Sequence, residues 1–143
     1  MIVLDTNVVS ELFRPKPEPV VHRWLAAQSP ASIFLTAISE AELRLGIALL
    51  PEGKRRDGLS VNLRGVVDED FDGRILPFDS RSAVQFAEIV STRRRVGRPI
   101  SVADAQIAAI ARSRGAVIAT RNVDDFTGTG IGVINPWSAG RAS

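Results

Sequence analysis

The chain contains no cysteine, no tyrosine and a single histidine, His22. Without cysteine there is no disulfide framework, no thiolate metal site and no cysteine nucleophile. Without tyrosine and with one histidine, a tyrosine nucleophile and a paired-histidine route to phosphodiester cleavage are excluded, and a Ser-His-Asp triad would rest on His22 alone. That residue stands beside Arg23 and Trp24 in a helical stretch, where a surface or half-buried structural role is expected. Aromatic residues make up 6% of the chain, too few to announce a base-stacking platform. Trp24 reads as core or interface, and Trp137 as a packing residue near the C-terminus. Lysine is nearly missing as well: Lys16 and Lys54 are the only two, so arginine supplies almost all of the 18 basic residues. Guanidinium groups pair bidentately with phosphates and carboxylates, which is compatible with a nucleic-acid partner, although a GC-rich genome produces the same bias. Net charge is only +2. No apolar run approaches the roughly 20 residues that span a bilayer. Met1 leads directly into strand-like residues, not into a basic segment and a long apolar one, so no signal peptide is read. A cytoplasmic protein with no membrane association is expected.

What is present is an ordinary globular composition, 45% apolar and 24% charged over 143 residues, read as one domain spanning 1–143. Short β-branched runs alternate with helical patterns, the signature of α/β architecture around a parallel sheet. Strands are expected at Ile2–Leu4, Ser32–Leu35, Arg74–Phe78, Ala116–Ala119 and Gly132–Ile134. Helices are expected at Val8–Phe13, Val20–Ala27, Glu40–Leu50, Ser80–Arg95 and Val102–Arg114. Within 51–73, "VNLRGVV" reads as helical and "PEGKRRDG" as a loop. Gly115, just after Arg112 and Arg114, is a helix stop with cations near the negative end of the dipole.

Acidic residues fall on this map in a pattern. "MIVLDTN" places Asp5 at the carboxyl end of the first strand, where open parallel sheets bind ligands. "AVIATRNVDDF" ends another strand in Thr120-Arg121-Asn122, with Asp124 and Asp125 close behind. "AISEAELRLG" puts Glu40 and Glu42 at one helix start, and "PISVADAQIAAIA" puts Asp104 at another. Each has a purely structural reading. Ser39-x-x-Glu42 and Ser101-x-x-Asp104 match capping boxes, and Asp5 suits an N-cap. Taken together, however, strand ends and helix starts lie on one edge of a parallel sheet. Carboxylates gathered there without a lysine either hold protons or recruit a cation. A hard, oxygen-preferring ion, Mg²⁺ or Mn²⁺, is the natural guest.

In order and spacing, "MIVLDTNVVSEL", "AISEAELRLGI", "ISVADAQIAAIA" and "ATRNVDDF…NPW" resemble the PIN-domain family, and within it the VapC and FitB toxins of bacterial toxin–antitoxin pairs. The likeness extends over nearly the whole chain. It implies a three-layer α/β/α sandwich around a central parallel sheet of about five strands. It also implies an Mg²⁺- or Mn²⁺-dependent endoribonuclease that forms a homodimer. A cognate antitoxin protein would inhibit it, and the pair would bind operator DNA. The family's first three acids fall on Asp5, Glu42 and Asp104. Its fourth is open: many relatives carry aspartate where this chain has Asn122, while others use the acid before the aromatic, here Asp125, with Asp124 its competitor. Thr6, Asn7, Thr120 and Asn122 are expected to support the site by hydrogen bonding, and Glu40 to be a solvated helix-start residue.

On this reading one ion is held by Asp5 and Asp104, with Glu42 and Asp125 completing the shell or orienting the attacking water. "RRRVGRP" offers Arg93, Arg94, Arg95 and Arg98 as phosphate contacts, and Lys54, Arg55 and Arg56 form a second basic cluster; favourable charges at a helix end explain the former equally well. A receiver-like phosphorylated domain would want a lysine at a strand end, and neither lysine is so placed. A catalytically weak PIN-like RNA-binding or scaffold module is the remaining alternative, favoured by Asn122. Beyond the site, "VVSELF" and the stripe Val20, Val21, Trp24 and Leu25 are expected to leave apolar surface for a partner.

Overall fold

The computed structural model describes residues 1–139. Its strands are β1 (Ile2–Leu4), β2 (Ile33–Thr36), β3 (Ile75–Leu76), β4 (Val117–Ala119) and β5 (Val133–Ile134). Its helices are α1 (Thr6–Leu12), α2 (Pro19–Ala26), α3 (Ala37–Ala48), α4 (Lys54–Gly65), α5 (Ser80–Arg95), α6 (Val102–Ser113) and α7 (Val123–Phe126). The strands form one five-stranded sheet in the order β3-β2-β1-β4-β5, every pair parallel. The expected α/β class and sheet are therefore present.

Alternation along the short strands sorts side chains to the two faces. Val3 and Ile118 join the core built with Ile89 of α5 and Ile107 and Ile110 of α6. Leu4, Leu35 and Ala119 join the opposite core with Val8 and Val9 of α1, Val21 of α2 and Leu63 of α4. Helix α6 is the most deeply set: Ala105 and every residue from Ile107 to Ala111 are buried. Its alanines let the neighbouring α5 approach closely, and the rigid seat fixes what stands at its N-terminus. At the other end Gly115 takes φ 67°, and the Ala116 N–H donates to the Ala111 carbonyl at 3.0 Å, which closes the helix as a Schellman turn.

The strand order creates the site. From β1 the chain moves outward through β2 to β3, then returns by α5 and α6 to place β4 on the other flank of β1. Connections thus leave the carboxyl ends of β1 and β4 in opposite directions. A crevice opens at that switch point, as in other open parallel sheets.

Three expectations are corrected. "KRRDG" is not loop but the first turns of α4, which buries only Leu63 and so shows little periodicity. Helix α3 starts at Ala37, not Glu40, because Thr36 is its N-cap and accepts from the Ser39 N–H at 3.1 Å. The "VVSELF" stretch is mostly core, with Val8 and Val9 fully buried, and Val20, Trp24 and Leu25 pack half-buried against the same cluster. Exposed apolar side chains lie elsewhere, at Leu45 of α3 and at Leu49, its C-cap, among other positions. No helix among the described residues is long and apolar enough to cross a membrane.

Candidate active site

Asp5 stands between β1 and α1 and belongs to both. Its backbone N–H donates to the Ala119 carbonyl at 2.9 Å, extending the pairing of β1 with β4. Its side chain caps α1, Oδ1 accepting from the Thr6 N–H at 2.8 Å. Oδ2 accepts from the Thr120 hydroxyl at 2.8 Å and from Asn7 Nδ2 at 3.2 Å. Capping and site membership are therefore not alternatives here. The carboxylate is 5% exposed, and burial pushes its pKa up from 3.8. The Thr120 and Thr6 hydrogen bonds oppose that rise, while the charges of Asp104 and Glu42 add to it.

Thr120 directly follows β4 and is fully buried. Its hydroxyl donates to Asp5 and accepts from Asn7 Nδ2 at 3.2 Å and the Asn122 N–H at 3.0 Å. One donation and two acceptances use all that a hydroxyl offers. Asn7 closes the knot from the other side, Oδ1 accepting from the Arg121 N–H at 3.2 Å. The expected supporting roles of Asn7 and Thr120 thus have a concrete form: they clamp the β1 and β4 ends together around one carboxylate.

Glu42 comes from the second turn of α3, with its Oε1 accepting from the Thr6 hydroxyl at 2.8 Å. That hydroxyl also lies 2.9 Å from Ser39 Oγ. Since Thr36 caps the helix, no Ser39–Glu42 capping box forms, and the structural explanation for Glu42 falls away. Glu40 sits in the first turn and pairs with Arg44 at 2.7 Å, away from the site. Asp104 is the third residue of its helix, and Ser101 Oγ accepts from its N–H at 3.2 Å, so here the capping geometry is real. Burial also raises the pKa of Asp104; Ser101 opposes this, Asp125 and Glu42 add to it, and Arg93 opposes it.

Asp5, Glu42 and Asp104 line one cleft of about 450 Å³, together with Thr6, Asn7 and Asn122. Asp124 and Asp125, both exposed on α7, line a neighbouring hollow that shares Arg121 and Asn122 with the cleft. Of these two acids, Asp125 is the one whose charge acts on Asp104. No three Asp, Glu, His or Cys side chains among the described residues converge into a ready metal cage. The donor set nonetheless has the chemistry of a hard-cation site: oxygen only, negative, from separate elements, with Asp5 and Asp104 both raised in pKa by burial and then by the charges of neighbouring acids, Glu42 among them in each case. Mg²⁺ commonly keeps several water ligands, so loosely spaced carboxylates suit it.

One sequence expectation changes. Arg93 is 5% exposed and is not a surface contact: Nε donates to the Arg98 carbonyl at 2.6 Å and Nη1 to the Asp125 carbonyl at 3.1 Å. It also bonds the Thr127 carbonyl, and so ties the C-terminal end of α7 to the end of α5. Arg94, Arg95 and Arg98 are exposed at a helix end closed by Gly97. The cations that do line the cleft are Arg14 and Arg121, which residue order alone did not single out. Arg14 pairs at 3.3 Å with Glu11, a buried acid that also accepts from the Glu18 N–H at 2.9 Å. The available signal for Arg121 was its place between Thr120 and Asn122.

The chain is similar to known proteins over nearly its whole length. A plasmid stability protein StbB of Pseudomonas syringae pv. tomato is 45% identical over 97% of this chain and 100% of its own. Toxin FitB of Neisseria gonorrhoeae is 43% identical over 96% of this chain and 99% of its own. VapC ribonuclease Y4jK of Sinorhizobium fredii is 42% identical over 96% and 98%. The structure of FitAB bound to an IR36 DNA fragment superimposes with a TM-score of 0.93, at 40% identity over the full length of both chains. The PIN domain model itself matches residues 2–130, a span that runs from the first residue of β1 past α7 and takes in every acid of the crevice; the chain belongs to the PIN domain family.

Proposed function

We propose that this chain is an endoribonuclease dependent on Mg²⁺ or Mn²⁺, the toxin half of a toxin–antitoxin pair, folded as a single PIN-like domain. The observation that carries the proposal is the meeting of Asp5, Glu42 and Asp104 in one cleft at the β1/β4 switch point. Relatives described as a VapC ribonuclease and as toxin FitB supply the substrate class and the biological setting. The structure of FitAB on DNA supports a cognate antitoxin as partner, with the complex seated on an operator. A homodimer follows from the same family reading, and Leu45 and Leu49 provide exposed apolar surface for association.

Asp5 and Asp104 would hold the ion, directly or through water, with Glu42 and Asp125 nearby. The ion supplies Lewis acidity, making a water more acidic and neutralising charge on the phosphodiester. The remaining work belongs to the chain. Thr120 and Asn7 fix the direction of the Asp5 carboxylate, and Thr6 fixes Glu42. Ser101 and the buried body of α6 fix Asp104. Glu42 is exposed and anchored at one oxygen only, which leaves the other to orient an attacking water or accept its proton.

Asn122 lines the cleft at the position where many relatives carry an acid, and this favours a second reading, a catalytically weak RNA-binding or scaffold module. Incubating purified protein with total RNA and Mn²⁺, against an EDTA control, separates the two. New RNA ends that appear only with the ion support the nuclease. Retained RNA without new ends supports the binding module.

A further inference from the structure

A polyanion brought to a cleft lined by three carboxylates needs a cation on the wall, and Arg14 and Arg121 are the two that line it. Arg14 is engaged by Glu11. Arg121 forms no ion pair among the described residues; instead its Cζ lies 5.2 Å from the centre of the Trp137 ring. Its backbone is tethered separately, the N–H donating to Asn7 Oδ1. The head group is thus laid over an indole and the backbone is tied to α1, so much of the entropy of ordering this arginine is already spent.

Trp137 is an odd choice for packing alone. Its Nε1 is buried with no hydrogen-bond partner among the described residues, a cost that phenylalanine would avoid. What the indole adds is the largest π face among the side chains, the best seat for a guanidinium. An arginine stacked on one face keeps its edge N–H groups and its second face free. The first suits a phosphate and the second a base. Arg121 also forms the ridge shared by the catalytic cleft and the hollow of Asp124 and Asp125, so it meets whatever strand crosses from one to the other.

We infer that Arg121, stacked on Trp137, is a nucleotide subsite for single-stranded RNA, taking a phosphate on its edge and an unpaired base on its open face beside the cleavage site. The inference rests on the ribonuclease reading and goes beyond it by assigning substrate recognition to this pair and not to the arginines at the end of α5. A stack of this kind is tolerant of base identity and selects unpaired over duplex RNA.

The test measures binding of a fluorescein-labelled 12-nucleotide RNA of mixed sequence, without secondary structure, to the full chain in EDTA over a range of KCl. Arg121→Gln is expected to weaken binding about tenfold and to lower the slope of log affinity against log salt by about 0.7, one phosphate contact. Arg121→Lys is expected to restore the slope but not the affinity, since it keeps the charge and loses the plane. Trp137→Phe is expected to weaken binding several-fold without lowering the melting temperature. Wild-type affinity and slope in Arg121→Gln, or full recovery of affinity in Arg121→Lys, would overturn the subsite. Cleavage with Mn²⁺ is measured in parallel. If the wild-type chain cleaves while Arg121→Gln binds normally, only this inference fails; if the wild-type chain neither binds nor cleaves, the ribonuclease reading fails with it.

Discussion

Thr120 Oγ1 donates to Asp5 Oδ2 at 2.8 Å, joining the first residue beyond β4 to the first beyond β1 at the point where the sheet changes direction. The bond aligns a carboxylate that burial drives toward its neutral form, and it opposes that drive. Thr120→Val keeps the shape and removes the hydroxyl. Asp5 then loses a donor, and Asn7 Nδ2 and the Asn122 N–H lose an acceptor. The variant should lose about 1.5–3 kcal/mol of stability in chemical denaturation, the usual worth of a hydrogen bond to a charged group. Cleavage should fall about 10- to 100-fold, as for other groups that orient a metal ligand. Unchanged activity alongside lost stability would reduce the bond to a structural tie.

For Asp104 the prediction is a trade of activity for stability. Burial, then the charges of Asp125 and Glu42, raise its pKa above 3.8. A carboxyl with a higher pKa folded than unfolded binds more protons in the folded state, so its contribution is complete below about 3.8 and is lost as pH rises through the folded value. The metal-free wild-type chain should therefore lose stability across that window, whereas Asp104→Asn should lose less. Thermal melts in EDTA should show the gap between them widening with pH, and Mg²⁺ should narrow it by stabilising the wild-type chain alone. Cleavage by Asp104→Asn should be at least about a hundredfold down, beyond the loss expected for a supporting residue.

Glu42→Gln separates charge from shape. Gln keeps an oxygen for the Thr6 hydroxyl, and Thr36 rather than Glu42 secures the helix start, so the fold should be untouched. Circular dichroism should match the wild-type chain, and the melting temperature in EDTA should equal or slightly exceed it because the Glu42 charge no longer acts on Asp5 and Asp104, while cleavage is lost. Wild-type turnover would remove Glu42 from the mechanism.

Between the two acids of α7, Asp125→Asn should lower kcat/KM more than Asp124→Asn, because only Asp125 acts on Asp104 across the crevice. Steady-state kinetics of the two variants side by side decide it. Equal and mild effects would leave a three-acid site.

The architecture was legible because it depends on local signals. β-branched runs, Gly115 and the apolar period of α5 and α6 each declare themselves within a few residues. Positions at strand ends and helix starts then brought Asp5, Asp104 and the 122–125 segment to one edge by topology alone. What escaped depends on competition or distance. "TAISEAE" contains two overlapping capping patterns, and Thr36-x-x-Ser39 won over Ser39-x-x-Glu42, moving Glu42 into the second turn. Helix α4 shows one buried leucine and a glycine in its middle, too little pattern to distinguish "KRRDG" from a loop. Arg93 looked like its exposed neighbours because its acceptors, the carbonyls of Asp125 and Thr127, lie more than thirty positions away. Arg121 and Trp137 meet only because β4 and the turn after β5 end on the same edge.

The central claim is that the carboxylates of this crevice act together through a divalent ion to cut RNA. Its most direct measurement is the single-turnover cleavage rate of one defined RNA as Mn²⁺ is titrated, for the wild-type chain and Asp104→Asn. The account predicts no cleavage in EDTA, a saturable rise with Mn²⁺ for the wild-type chain, and a flat response for the variant at concentrations that saturate the wild type. Equal rates for the two proteins, or wild-type cleavage that persists in EDTA, would contradict it.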